Sequence, residues 1–147
     1  MSLPGGYDLH VTGFDGLDAR TGYLLWALRE SVFVVEQDCP YLELDGRDLE
    51  PGTRHVWAAR DDVPVAYLRL LEEPGAVRIG RVLTAAGHRG RGLAGALLRA
   101  GLEVVGERPS YLHAQSHLAG WYAGFGYRRD GAEFVEDGIP HTPMSRR

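Results

Sequence analysis

The chain has 147 residues, 44% of them apolar and 24% charged, which is the make-up of one folded domain and not of a disordered segment. Its formal net charge of -4 gives no overall positive field for nucleic acid or an anionic membrane. All sixteen basic residues are arginine, which removes the Schiff-base lysine of pyridoxal enzymes and the lysine of a phosphate-binding P-loop.

Met1 to Gly6 has neither a basic region nor an apolar run, so neither export nor a membrane anchor is expected. Tyr7 to Gly13 alternates apolar and polar residues and reads as a strand. Leu17, Leu24, Leu28, Val32 and Val35 recur at helical spacing and predict a helix from about Asp18 to Val35, limited by Pro40. Cys39 to Thr53 is acidic and lacks a period, so it reads as a long loop. Cys39 is the lone cysteine, which excludes an intrachain disulfide and fits a reducing cytoplasm. Three strands follow, His55 to Arg60, Val63 to Leu71 and Ala76 to Thr84, as an antiparallel meander. Leu93, Leu97, Ala100 and Val104 mark one face of a helix that stops near Gly106 and Pro109. Tyr111 to Gln115 reads as a strand, Leu118 to Gly124 as a short helix, and Tyr127 to Val135 with Ile139 to Arg146 as two closing strands. The late strand, helix, strand passage implies a right-handed crossover and one parallel pair in a mostly antiparallel α/β sheet. With no linker and no repeat, residues 1–147 read as a single domain.

The chemistry concentrates at His88 to Gly95, between a predicted strand and a predicted helix. A helix start offers free backbone N–H groups and the positive end of the macrodipole. Gly90, Gly92 and Gly95 would let a phosphate approach the backbone, and Arg89 and Arg91 would add charge. Gly90 to Gly95 matches G-x-G-x-x-G literally, but a dinucleotide site follows the first strand of a βαβ series and needs an acidic strand end about 20 residues on. Here the turn follows a meander, and Tyr111 to Gln115 ends without an acid. An ordinary tight strand-to-helix turn is the plainest alternative.

Arg89-x-x-Gly92-x-Ala94 resembles the Q/R-x-x-G-x-G/A motif of the GNAT acetyltransferases, whose loop binds the pyrophosphate of coenzyme A. Arg81-Val82-Leu83-Thr84 resembles that family's fourth strand, which would give Val82, Leu83 and Thr84 backbone contacts to the pantetheine arm. The resemblance extends the site through Gly90, Arg91, Leu93 and Gly95. Downstream, Trp121-Tyr122-Ala123-Gly124-Phe125-Gly126-Tyr127 is similar to the helix that carries the family's general-acid tyrosine, which falls on Tyr122. Without the resemblance, these aromatics read as a core cluster. The run Val32 to Tyr41, then Glu43 to Asp48, then Arg54-His55, resembles the ElaA-type branch. The Val-Phe-x-x-Glu segment is also similar to one in acyl-homoserine lactone synthases, although the intact pyrophosphate loop argues for coenzyme A.

The resemblance implies a mixed sheet with helices on both faces and one splayed parallel pair. It also implies acetyl transfer from acetyl-CoA to a primary amine of a small molecule or peptide, without a metal. Self-association into a homodimer is left open, and a non-catalytic coenzyme A binding module is the alternative. Glu36, Glu43, Asp45 and Asp48 would form an acidic wall that attracts a protonated amine, with Asp45 and His55 at the acceptor. Glu36 is the first choice of base and His55 the second. The histidines show no zinc-motif spacing.

Overall fold

The computed structural model describes residues 3–147. Eight strands form one sheet: β1 (Asp8–Thr12), β2 (Arg54–Arg60), β3 (Val63–Glu73), β4 (Ala76–Thr84), β5 (Ser110–Gln115), β6 (Arg128–Arg129), β7 (Phe134–Glu136) and β8 (Ile139–Arg146). The sheet order is β1-β2-β3-β4-β5-β8-β6, with β7 also on β8. Among the described residues only β4 and β5 run parallel, and they pair at just Val77 with Ser110 and Arg78 with Tyr111.

The early divergence of β4 from β5 has a visible cause on β4. Tyr67 pairs with Leu83 and Arg69 with Gly80, so Arg81 and Val82 together oppose Leu68. This is a β-bulge, and Arg81 takes the strained left-handed φ of 54°. A bulge bends its strand, and here the bend lies beyond the two paired residues.

Helices cover both faces. In α1 (Ala19–Glu30), Asp18 caps the first turn by accepting from the Thr21 N–H at 2.7 Å. Leu25, Arg29 and Val32 then face Trp57, Tyr67 and Leu83. The expected helix to Val35 instead widens into a π-helical turn, Ser31–Glu36, whose carbonyls at Val32 and Val34 bond to the N–H groups of Gln37 and Cys39. Such turns re-aim side chains and recur at functional sites.

On the opposite face, α2 (Leu93–Val105) buries Leu93, Leu97 and Val105 against Val56, Leu68, Leu70 and Ile79. The expected stripe through Ala100 and Val104 is displaced by one residue, because Gly101 lets the helix approach β3 closely. A Cβ there would meet Leu70 at 3.4 Å, and Val104 points to solvent. The expected strand Tyr127 to Val135 breaks into β6 and β7. Asp130 donates to the Pro143 carbonyl on β8, but proline has no N–H to return, and the ladder resumes only at Phe134.

The acidic loop is fastened inward. Arg29, fully buried on α1, donates from Nε to Glu43 at 2.8 Å and from Nη1 to Asp48 at 2.7 Å. Asp48 also accepts from Arg69 Nη1 at 3.1 Å, and the Trp26 and Tyr67 rings flank the Arg29 guanidinium. Replacing Arg29 with alanine leaves two buried carboxylates short of a partner, so the variant should lose about 3–5 kcal/mol in urea denaturation. A loss below about 1 kcal/mol would mean that the loop holds its place without this arginine.

Candidate functional site

Two depressions meet at the open end of the β4–β5 pair. The first is a groove at the start of α2. Gly90 and Gly92 both sit at φ 77°, where other residues are strained, and Gly92 caps α2 with no side-chain acceptor, so the first-turn N–H groups stay available. Open space lies where a Cβ on either glycine would stand. Arg89, Arg91, Leu93, Ala94 and Gly95 line this groove. Sequence reading did not single out Arg99, which also lines the groove with its guanidinium over the Phe125 ring, 5.3 Å from the centroid. Its signal was present, since Gly92, Gly95 and Arg99 recur on one helix face.

The second depression is a cleft of about 580 Å³ on the α1 side of the sheet. Its floor is β3, β4 and β5, and its walls are the π turn, the acidic loop and the β7–β8 turn. Val82, Leu83 and Tyr122 lie at its inner end, Glu36 and Asp45 on its wall. Thr84 and Arg89 line both depressions, so the two are continuous.

Tyr122 lies on the short helix α3 (Ala119–Ala123), is 5% exposed and packs edge-on against Trp121 and Tyr127. Burial pushes its phenol well above the usual range, and no hydrogen bond offsets the shift. It therefore stays protonated at neutral pH with a proton to donate.

The acidic wall is largely neutralised within the chain. Arg89 Nη2 lies 2.8 Å from both Glu36 oxygens, and its Nε donates to the Thr84 carbonyl at 2.9 Å. Asp45 accepts from Arg69 Nη1 at 3.0 Å, and hydrogen bonding to Arg69 holds its carboxyl well below the usual range. Glu43 accepts from Arg29, and Arg81 Nε stands 2.9 Å away, oriented as an ion pair and not as a hydrogen bond. Arg91 is engaged by the Tyr7 hydroxyl at 2.8 Å, which also bonds His88.

His55 does not reach the cleft. It is fully buried under α1, with Nδ1 2.6 Å from the Tyr67 hydroxyl and Nε2 3.3 Å from the Asp48 carbonyl. The acceptor-site expectation for His55 thus gives way to a packing one: its alternating position on β2 puts it on the α1 face, and the fastened loop closes over it.

A family model described as an acetyltransferase (GNAT) domain matches residues 30–147. A UPF0039 protein of Mycobacterium tuberculosis is 51% identical over 135 residues, covering 88% of this chain and 86% of the relative. ElaA of Escherichia coli is 41% identical over 133 residues, covering 84% and 86%. The crystal structure of an acyl-CoA N-acyltransferase from Pseudomonas aeruginosa superposes with a TM-score of 0.90 at 40% identity, covering 96% of this chain and 99% of that one.

Burial lowers the His55 pKa from 6.5, so the folded protein resists a proton that the unfolded chain accepts. Stability should therefore fall as pH drops below about 6.5 toward the lowered value. Denaturation midpoints from pH 7 to 5 check this, and His55→Gln should flatten the slope. An unchanged slope in the variant would assign it to other groups.

Proposed function

Because the chain belongs to the GNAT acetyltransferase family, in its ElaA-like branch, we propose that it moves an acetyl group from acetyl-CoA directly to a primary amine. The observation that carries this reading is the continuity of the α2 groove with the Tyr122 cleft at Thr84 and Arg89. A pyrophosphate on the α2 N-terminus would point its pantetheine arm along the open edge of β4, and the thioester would lie beside Tyr122. Arg89, Arg91 and the Gly90–Gly95 turn would hold the phosphates, and Arg99 would add charge further along the groove.

The amine lone pair attacks the thioester carbon, the new C–N bond forms and the C–S bond breaks. The amine gives up a proton, and the departing thiolate gains one from Tyr122. Backbone N–H groups around Val82 and Leu83, freed by the divergence of β4 from β5, would stabilise the oxygen as charge develops. Glu36 is the base at the wall. It shares its ion pair with Arg89, so an arriving pyrophosphate competes for that arginine and frees the carboxylate. Direct transfer needs both substrates bound together, which suits one cleft with two mouths. A reducing cytoplasm belongs to the same proposal.

Acetyl-CoA at about 100 times its dissociation constant should add about 2.7 kcal/mol of stability, and NADH should add none. Tyr122→Phe should keep that shift and its melting temperature while lowering kcat by about 10²-fold. Release of free thiol with a panel of amines measures the rate. A fully active Tyr122→Phe would remove the acid role. Acetyl-CoA stabilisation with no thiol release from any amine would leave a coenzyme A binding module.

A further inference from the structure

The cleft that would take the amine has an uneven balance of charge. Its helical and loop wall shows carboxylates, yet each is held by an arginine: Glu36 by Arg89, Asp45 by Arg69, Glu43 by Arg29 and Arg81. Arg47, at the same wall, is held by Glu50 and Glu73. The carboxylates left over, Glu136 and Asp137, stand exposed on the β7–β8 turn at the mouth.

One cation on the floor is left over as well. Arg78 lines the cleft from β4 and has no ion-pair partner among the described residues. Its polar contact is with His113 Nδ1 at 3.5 Å, the outer limit of a hydrogen bond. Val77 and Ile79 are buried in the core beneath α2, so the strand alternation turns Arg78 and Gly80 toward the cleft. Open space lies where a Cβ on Gly80 would stand, which leaves room beside the guanidinium. Next to it on β3, Arg69 is 6% exposed, lines the same cleft and keeps its buried Nε without a hydrogen-bond partner. Burial, and then the charge of Arg78, push the His113 pKa down, so this neighbour adds no competing charge.

A half-buried guanidinium fork with free donors and open space in front of it fits an oxyanion, bound bidentately. Resting on the acetyl-transfer reading, we propose that the acceptor is an amine bearing a carboxylate or phosphate, and that Arg78 receives this oxyanion on the cleft floor. Leu83 lies five steps along β4 from Arg78, and one of those steps is taken up by the bulge. About 13 Å of strand therefore lies between the two positions, and the oxyanion and the reacting nitrogen stand several bonds apart. The site thus favours an ω-amino acid, or the amino end of a short peptide, over the α-amine of a free amino acid.

The test measures thiol release by the full chain with acetyl-CoA and three acceptors: a straight-chain ω-amino carboxylate, its neutral amide, and a matched ω-aminoalkyl phosphate. At least one anionic acceptor should exceed the amide in kcat/KM by about 10- to 100-fold, mainly through KM. The better anionic arm identifies the oxyanion. Arg78→Gln should bring the ratio to within about 3-fold. Gly80→Val, at a position free of strain, should fill the space beside the guanidinium and raise KM for the anionic acceptor. Equal use of amide and anion, or a ratio unchanged in both variants, overturns the oxyanion site and leaves acetyl transfer standing. No thiol release from any amine overturns acetyl transfer itself, and this inference with it.

Discussion

The site depends on β4 and β5 parting after two paired residues. Parallel strands that stayed paired would close the sheet and leave no edge for a cofactor arm to follow. The bulge at Arg81 bends β4, at the cost of a left-handed backbone at a residue with a side chain. The helix α2 then rises from the gap, so its free N–H groups and its dipole face the same opening. The groove and the cleft are two ends of one break in the sheet, and Thr84 and Arg89 stand where they join.

Around this opening, buried charge fixes the irregular parts. The Cys39 to Thr53 stretch has a single 3₁₀ turn, Arg47–Leu49, and its large apolar side chains, Tyr41, Leu42, Leu44 and Leu49, stay exposed and so do not anchor it. Its place comes from Glu43 and Asp48 reaching Arg29 and Arg69 beneath it. Such pairs offer little net stability over an apolar core, but leaving one partner alone is costly, which makes a single loop position favourable. The same pairing consumes the negative charge of the wall. The charge the cleft presents is therefore set by the residues left without ion-pair partners, Arg78 on the floor and Glu136 and Asp137 at the mouth.

Arg89 and Glu36 tie the groove to the cleft. One lies in the phosphate turn and the other on the π turn, 53 positions apart, and they form an exposed ion pair across the junction. Exposed pairs are weak, so under the proposed function a dianionic pyrophosphate would compete effectively for Arg89. The fold thus sets the glycine turn and the wall of the cleft within one hydrogen bond of each other.

Much of this was legible in the sequence. Alternation gave β2, β3, β4, β5 and β8 to within a residue or two, since period-two burial is a local property of each strand. The glycine turn was readable because left-handed backbone leaves a strong local mark, whereas Tyr122 stood out from its aromatic neighbours only through the resemblance to the GNAT motif. The π turn, the bulge at Arg81, the break opposite Pro143 and the one-residue shift of the α2 face were decided by neighbouring elements. So was the fate of the charges. Sequence alone shows acids and arginines but not which pair, so Glu36, Asp45 and His55 all looked free to meet an amine. Pairing needs distances between residues 14 to 53 positions apart, which only the packing of α1, the loop and the sheet supplies.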